Sequence, residues 1–145
     1  MNNLTLTMAY ICKHYPYKQE ISNARLTKMV YLADFFSVQE NGNQLTNIQW
    51  YFDNYGPYVD NIRKEAEDNH LFEAVSSTTI YGTPKLQIKL TKDAELPPLQ
   101  SEMKKILDHV IEETKHLNWN DFINYVYNTS PVKNGHRYTY LDLSK

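Results

Sequence analysis

Apolar residues in the first part of the chain recur at helical spacing. Leu4, Met8, Ile11, Cys12 and Tyr15 step by three and four, so residues 3–14 read as an amphipathic helix that Pro16 cannot continue. Ser22 is placed to cap a second helix running to about Glu40. Its apolar positions are Leu26, Met29, Val30, Ala33 and Phe36, with Leu32 and Phe35 widening the face, which predicts a central helix covered on most sides. Asn41-Gly42-Asn43 ends it, Gly42 being free to take the left-handed conformation of a helix end.

The period then shortens. Ile48 to Asp53 is aromatic and β-prone, predicting a brief strand or extended segment that leads into Asn54-Tyr55-Gly56-Pro57. Gly56-Pro57 reads as a strand-to-helix corner, with Pro57 in the first turn of a helix spanning about Tyr58 to Asn69. Val59, Ile62 and Ala66 are its inward residues. From Leu71 to Leu90 an alternating second arm, Leu86 to Leu90, and the turn residues Tyr81-Gly82-Thr83-Pro84 predict an antiparallel β-hairpin. After Pro97-Pro98, the positions Met103, Ile106, Leu107, Val110, Ile111, Thr114 and Leu117 trace a strong helical stripe. Asn118 or Asn120 can cap a shorter helix carrying Trp119, Phe122, Ile123 and Val126 on one side and ending near Asn128. Past Ser130-Pro131 the tail is irregular, and Tyr138, Tyr140, Leu141 and Leu143 fit an extended docking strand. The fold class predicted is mainly α with a small β element: a multi-helix domain with an antiparallel hairpin, residues 1–145 forming one unit.

Composition narrows the functions without choosing among them. A chain of 145 residues buries roughly two-thirds of its extended surface on folding, and 13% aromatic content supplies apolar area that disordered chains lack. A formal net charge of −2 gives no global reason to bind a polyanion. The lone Cys12 has no disulfide partner, the first residues lack a secretory pattern, and no stretch is apolar enough to span a bilayer; a cytoplasmic location is expected.

Candidate chemistry is sparse. His109, Glu112, Glu113 and His116 share one helical side at metal-ligand spacing, but that side lies opposite the apolar stripe and so faces solvent, which argues for a solvated polar face and no metal. No Ser or Cys sits in a nucleophile turn beside His14, His70 or His136, and Cys12 falls on an apolar stripe. Four scattered glycines make no phosphate loop, so neither catalysis nor a cofactor is expected. Asp34 lies among apolar residues and needs a partner, because an unpaired buried charge costs several kcal/mol. A structural hydrogen bond or ion pair fits it better than general-base chemistry, with Lys28 and Arg25 as partners only if the fold brings them round. The element order also resembles a winged helix-turn-helix DNA reader, with Lys85, Lys89 and Lys92 on the wing. Its recognition helix would set Arg63 and Lys64 among four acids facing phosphate, so nucleic acid is a poor partner.

The ordered residues Leu26-Thr-Lys-Met-Val-Tyr-Leu-Ala-Asp34, Gly42, Leu45-Thr46, Trp50, Tyr55-Gly56-Pro57 and Tyr127-Asn-Thr-Ser-Pro131 resemble the Panacea domain, the SocA-like antitoxin family, over about residues 4–132. Met29-Val30 and Tyr58 depart from its commoner residues while keeping apolar bulk. The resemblance implies a mostly helical antitoxin that binds a cognate toxin, in one member as a protease adaptor, with related domains in prophage proteins of unknown role. It implies no catalytic residue. Lys28, Tyr31, Asp34, Trp50, Gly56, Pro57, Tyr127, Thr129 and Pro131 match its signature and are expected to serve mainly architecture. The expected partner surface is Tyr55, Tyr58, Tyr81, Lys85, Tyr138 and Tyr140, because Tyr gives contact area with few rotamers to freeze and loops vary at little cost to the core.

Overall fold

A computed structural model describes residues 1–145. Helix α1 (Asn3–His14) starts where the Asn2 side chain accepts the Thr5 N–H at 2.8 Å, and stops at Tyr15 before Pro16. Lys18 folds back to donate to the carbonyls of Cys12, Lys13 and Tyr15, satisfying a helix end that has no further turn of its own. Helix α2 (Asn23–Asn41) is capped by Ser22 and ends at Gly42, whose φ of 80° supplies the left-handed turn. Its buried residues run continuously from Arg25 to Asp34, which is why no single apolar stripe dominates it: α1, two later helices and the hairpin cover it from several sides.

Strands β1 (Phe52–Asp53) and β2 (Gly56–Pro57) form a tight two-residue ladder, and helix α3 (Asn61–Asp68) begins only after it. This corrects the predicted strand-to-helix corner: Pro57 is a strand residue, not the first turn of a helix starting at Tyr58. The Tyr58 N–H donates to Tyr51 O at 2.9 Å, so Pro57 faces Phe52 at a position where the ladder asks for no N–H. The far side of the same segment is also occupied. Phe52 N donates to Thr139 O, Tyr138 N to Phe52 O and Leu141 N to Trp50 O, so the tail docks in extended form along Trp50–Phe52, and Leu143 is buried beyond it. Between them the chain makes α6 (Ser130–Lys133), one turn with Pro131 as its second residue, where only an irregular break was expected.

The hairpin β3 (Phe72–Thr78) and β4 (Pro84–Leu90) has the predicted turn, and Ile88 N donates to Ile21 O, fastening β4 to the start of α2. Its base is buried through Phe72 and Ile88, while Ile80 and Tyr81 at the tip stand free. Helices α4 (Ser101–Thr114) and α5 (Trp119–Tyr127) follow, the latter capped by Asn118. Buried Arg25 joins them to α2. Its guanidinium donates to the carbonyls of Thr114 (3.0 Å) and Leu117 (2.9 Å) and to the Tyr15 hydroxyl, and lies 4.5 Å from the Phe122 ring centre. Twenty-nine buried hydrophobic residues make one continuous core, and no helix is long and apolar enough to cross a membrane.

Candidate functional site

The matched signature residues interlock. Asp34 is fully buried, and five donors converge on its carboxylate: the N–H groups of Leu45 and Thr46 on Oδ1, and Gln44 Nε2, Thr46 Oγ1 and Trp50 Nε1 on Oδ2, at 2.5–3.0 Å. Burial pushes the Asp34 carboxyl pKa up, and the bonds from Thr46, Trp50 and Gln44 pull it back. The expected hydrogen-bonding role is thus visible, with partners from the following loop and none from Lys28 or Arg25. The Trp50 ring meets Tyr31 edge-on at 5.5 Å, and the Tyr31 hydroxyl bonds Thr129 Oγ1 at 2.8 Å. Tyr127 packs edge-on against Phe52, and Pro131 is buried in α6.

Gly56 and Lys28 lead from this framework to the surface. Gly56 has a φ of 99°, and a Cβ there would sit 3.5 Å from the Tyr127 ring and 3.9 Å from Lys28 Cε. Replacing Gly56 by Ala is expected to cost about 2 kcal/mol, mainly as backbone strain, read as a lower urea midpoint with an unchanged slope. Unchanged stability would show that the β1–β2 turn relaxes freely.

Lys28 is 3% exposed, yet its ammonium makes no hydrogen bond or ion pair within the chain. Burial lowers its pKa from 10.5 to about 8, against a weaker upward pull from Asp53, and the Tyr58 ring centre lies 6.0 Å from Nζ. The amine lines an open cleft of about 790 Å³ whose walls are Asp53, Asn54, Tyr55 and Tyr58 from the β1–β2 region, Ala24 from α2, and Trp119, Asn120, Ile123 and Asn124 from α5. Two further hollows adjoin it. One of about 670 Å³ shares Ala24 and Trp119 and reaches Lys85 and Pro84 on the hairpin; the other, of about 560 Å³, shares Asp53 and Tyr58 and reaches Lys64 and Tyr140. The three hollows, joined by these shared walls, are called the furrow.

Four of the six residues expected at a partner surface border this furrow: Tyr55, Tyr58, Lys85 and Tyr140. Tyr55 is 76% exposed, whereas Tyr58 is half-buried and accepts a bond from Asn23. Lys85 donates to the Gln19 carbonyl. Tyr81 stands apart at the hairpin tip, and Tyr138, at a φ of 67°, donates to Asn54 Oδ1 at 2.6 Å. Trp119 was expected on one side of α5 together with Phe122, Ile123 and Val126. It is 45% exposed, because it sits at the first residue of the helix, where the buried pair Phe122 and Val126 takes the core-facing line. That offset between Trp119-Ile123 and Phe122-Val126 was the available signal for a second, cleft-facing stripe.

The remaining candidate groups occupy the exposed places their spacing predicts. His109 packs edge-on against Phe36, Glu112 pairs with Lys115, and Glu113 accepts from Tyr125. On α3, the Arg63 guanidinium is already held by Asp60 (3.4 Å) and Glu67 (2.9 Å), and that pairing competes with any phosphate contact from this helix.

The family model described as Antitoxin SocA-like, Panacea domain, matches residues 26–131, a span that runs from α2 through the Asp34 loop, the β1–β2 turn and the hairpin to α6. The chain belongs to this SocA-like antitoxin family. No curated protein and no solved structure matches it. Within the Panacea-domain match lie both the Asp34 clasp and every cleft-lining residue from Lys28 to Asn124, while Ala24 and the docking tail fall outside it.

Proposed function

We propose that this Panacea-domain protein is an antitoxin that neutralises a cognate protein toxin by direct contact in the cytoplasm, with the Lys28 furrow as the contact surface. The observation that carries the reading is the family match joined to a long furrow bordered by exposed Tyr55, Trp119 and Tyr140. Large, stiff aromatic side chains around a concave surface suit protein recognition. The scaffold holds this surface through the Asp34 and Arg25 networks, so partner choice is free to vary at the rim. Neutralisation then needs no chemical step: contact either blocks the toxin's working surface or presents it to a protease.

The test is growth rescue. Products of the neighbouring genes are expressed alone and together with this chain. One of them should arrest growth, and co-expression should restore it. The double variant Tyr55→Asp with Trp119→Asp should lose rescue by at least about tenfold in plating efficiency while remaining folded, because a charge at an aromatic anchor costs more than 1.4 kcal/mol of binding. If no neighbouring product is toxic, the antitoxin reading fails; if the double variant rescues as well as the parent chain, the furrow is not the contact surface.

A further inference from the structure

Lys28 and Lys64 are the furrow cations that the chain leaves without a partner, and of the two only Lys28 is buried. Arg25 has the Thr114 and Leu117 carbonyls and Glu20, and Lys85 has the Gln19 carbonyl. Lys28 lies deeper than Lys85, with its stem against Gly56 and its ammonium at the foot of a cleft with apolar walls. An ammonium largely shielded from water and given no acceptor is costly to keep, and the volume beside it is large enough to admit one.

We propose that Lys28 receives a carboxylate, carried by an acidic segment of a protein partner that lies along the furrow. This deepens the direct-binding reading and rests on it for the carrier of the carboxylate. The surroundings specify more than charge. Asn54, Asn120 and Asn124 place side-chain amides around the same cleft, which can donate to the second carboxylate oxygen or to the partner's backbone. Tyr55, Tyr58, Trp119 and Ile123 give an apolar lining for the side chain beside the acid. Asp53 stands at the cleft edge, where it opposes a second negative charge. The site therefore selects one carboxylate flanked by an aromatic or aliphatic group, and disfavours polyanions such as nucleic acid.

The probe pair is 3-phenylpropanoate and its uncharged amide, which differ only in the group offered to Lys28. Binding is followed through the lysine ε-methylene NMR signals of the whole chain, the Lys28 signal being the one absent from Lys28→Met. The acid should bind about tenfold tighter than the amide and shift the Lys28 signal, as expected of a charge-assisted bond in a partly dry site. Lys28→Met should bind both probes alike, and Asp53→Asn should strengthen the acid alone. Equal binding of acid and amide to the parent chain, binding of neither, or an acid preference that survives in Lys28→Met would each overturn the proposal. The parent-chain comparison needs no variant to fold. Failure here leaves growth rescue untouched, and failure of rescue leaves the acid-over-amide preference standing, so the two readings fall separately.

Discussion

Asp34→Asn should lower the unfolding free energy by about 4 kcal/mol, despite changing a single atom. Each Asp34 oxygen already accepts from at least two donors: Leu45 N and Thr46 N on one, Gln44 Nε2, Thr46 Oγ1 and Trp50 Nε1 on the other. Whichever way an Asn amide is turned, its NH₂ replaces an acceptor with a donor and faces at least two donors across a dry interface. The side chain has no third orientation. The loss spreads along the interlocked residues, because Trp50 is held through its indole N–H and in turn stacks edge-on against Tyr31. Urea unfolding of the two proteins measures the difference directly. A change below about 1 kcal/mol would mean that water or a shifted loop supplies the missing acceptors, and that the clasp is not what shapes residues 44–50.

Lys28→Met should act in the opposite direction, raising stability by about 3 kcal/mol at pH 7. The sign follows from the pKa, which falls from 10.5 in the unfolded chain to about 8 in the folded one. Below pH 8 both states carry the charge, and the folded state bears the full cost of burying it. Between pH 8 and 10.5 the folded lysine sheds its proton while the unfolded one keeps it, so the parent chain gains stability with rising pH. Methionine has similar reach and no charge, so its advantage should be complete below pH 8, shrink through that window and vanish above it. Paired urea titrations at pH 7, 9 and 11 read the trend. A Met variant less stable than the parent at pH 7, or an advantage that does not change with pH, would show that the ammonium is compensated within the chain. A residue the fold would be firmer without is one whose retention is explained by what it meets from outside.

Much of the scaffold was legible because its signals are local. The Ser22 cap, the Gly42 stop, the stripe of α4 and the Asn118 cap each depend on residues within a turn or two. The hairpin was announced by its own turn. What escaped depends on residues far along the chain. Gly56-Pro57 has the local character of a helix start, yet the ladder to Phe52–Asp53 and the tail docked on the other edge of that segment hold it extended. Asp34 declared its need for partners, and the sequence could not say that they come from the loop ten to sixteen residues onward. Four of the expected contact residues do line the furrow, but its floor was missed. Lys28 looks like an architectural signature residue until its burial without a hydrogen-bond or ion-pair partner is seen in three dimensions.

The reach of the α2 side chains also bears on how long the folded state lasts. Arg25 meets Thr114 and Leu117 across 89 and 92 residues of chain, and Tyr31 meets Thr129 across 98. Closing such long loops is entropically unfavourable until other contacts are in place, so these bonds are expected to form late in folding and to break early in unfolding. On that order of events, the seam between α2 and the α4–α6 end would govern the rate of unfolding and have little say in the rate of folding. Persistence in the native state would then be vested in a few buried polar contacts, with the apolar core alone not setting it.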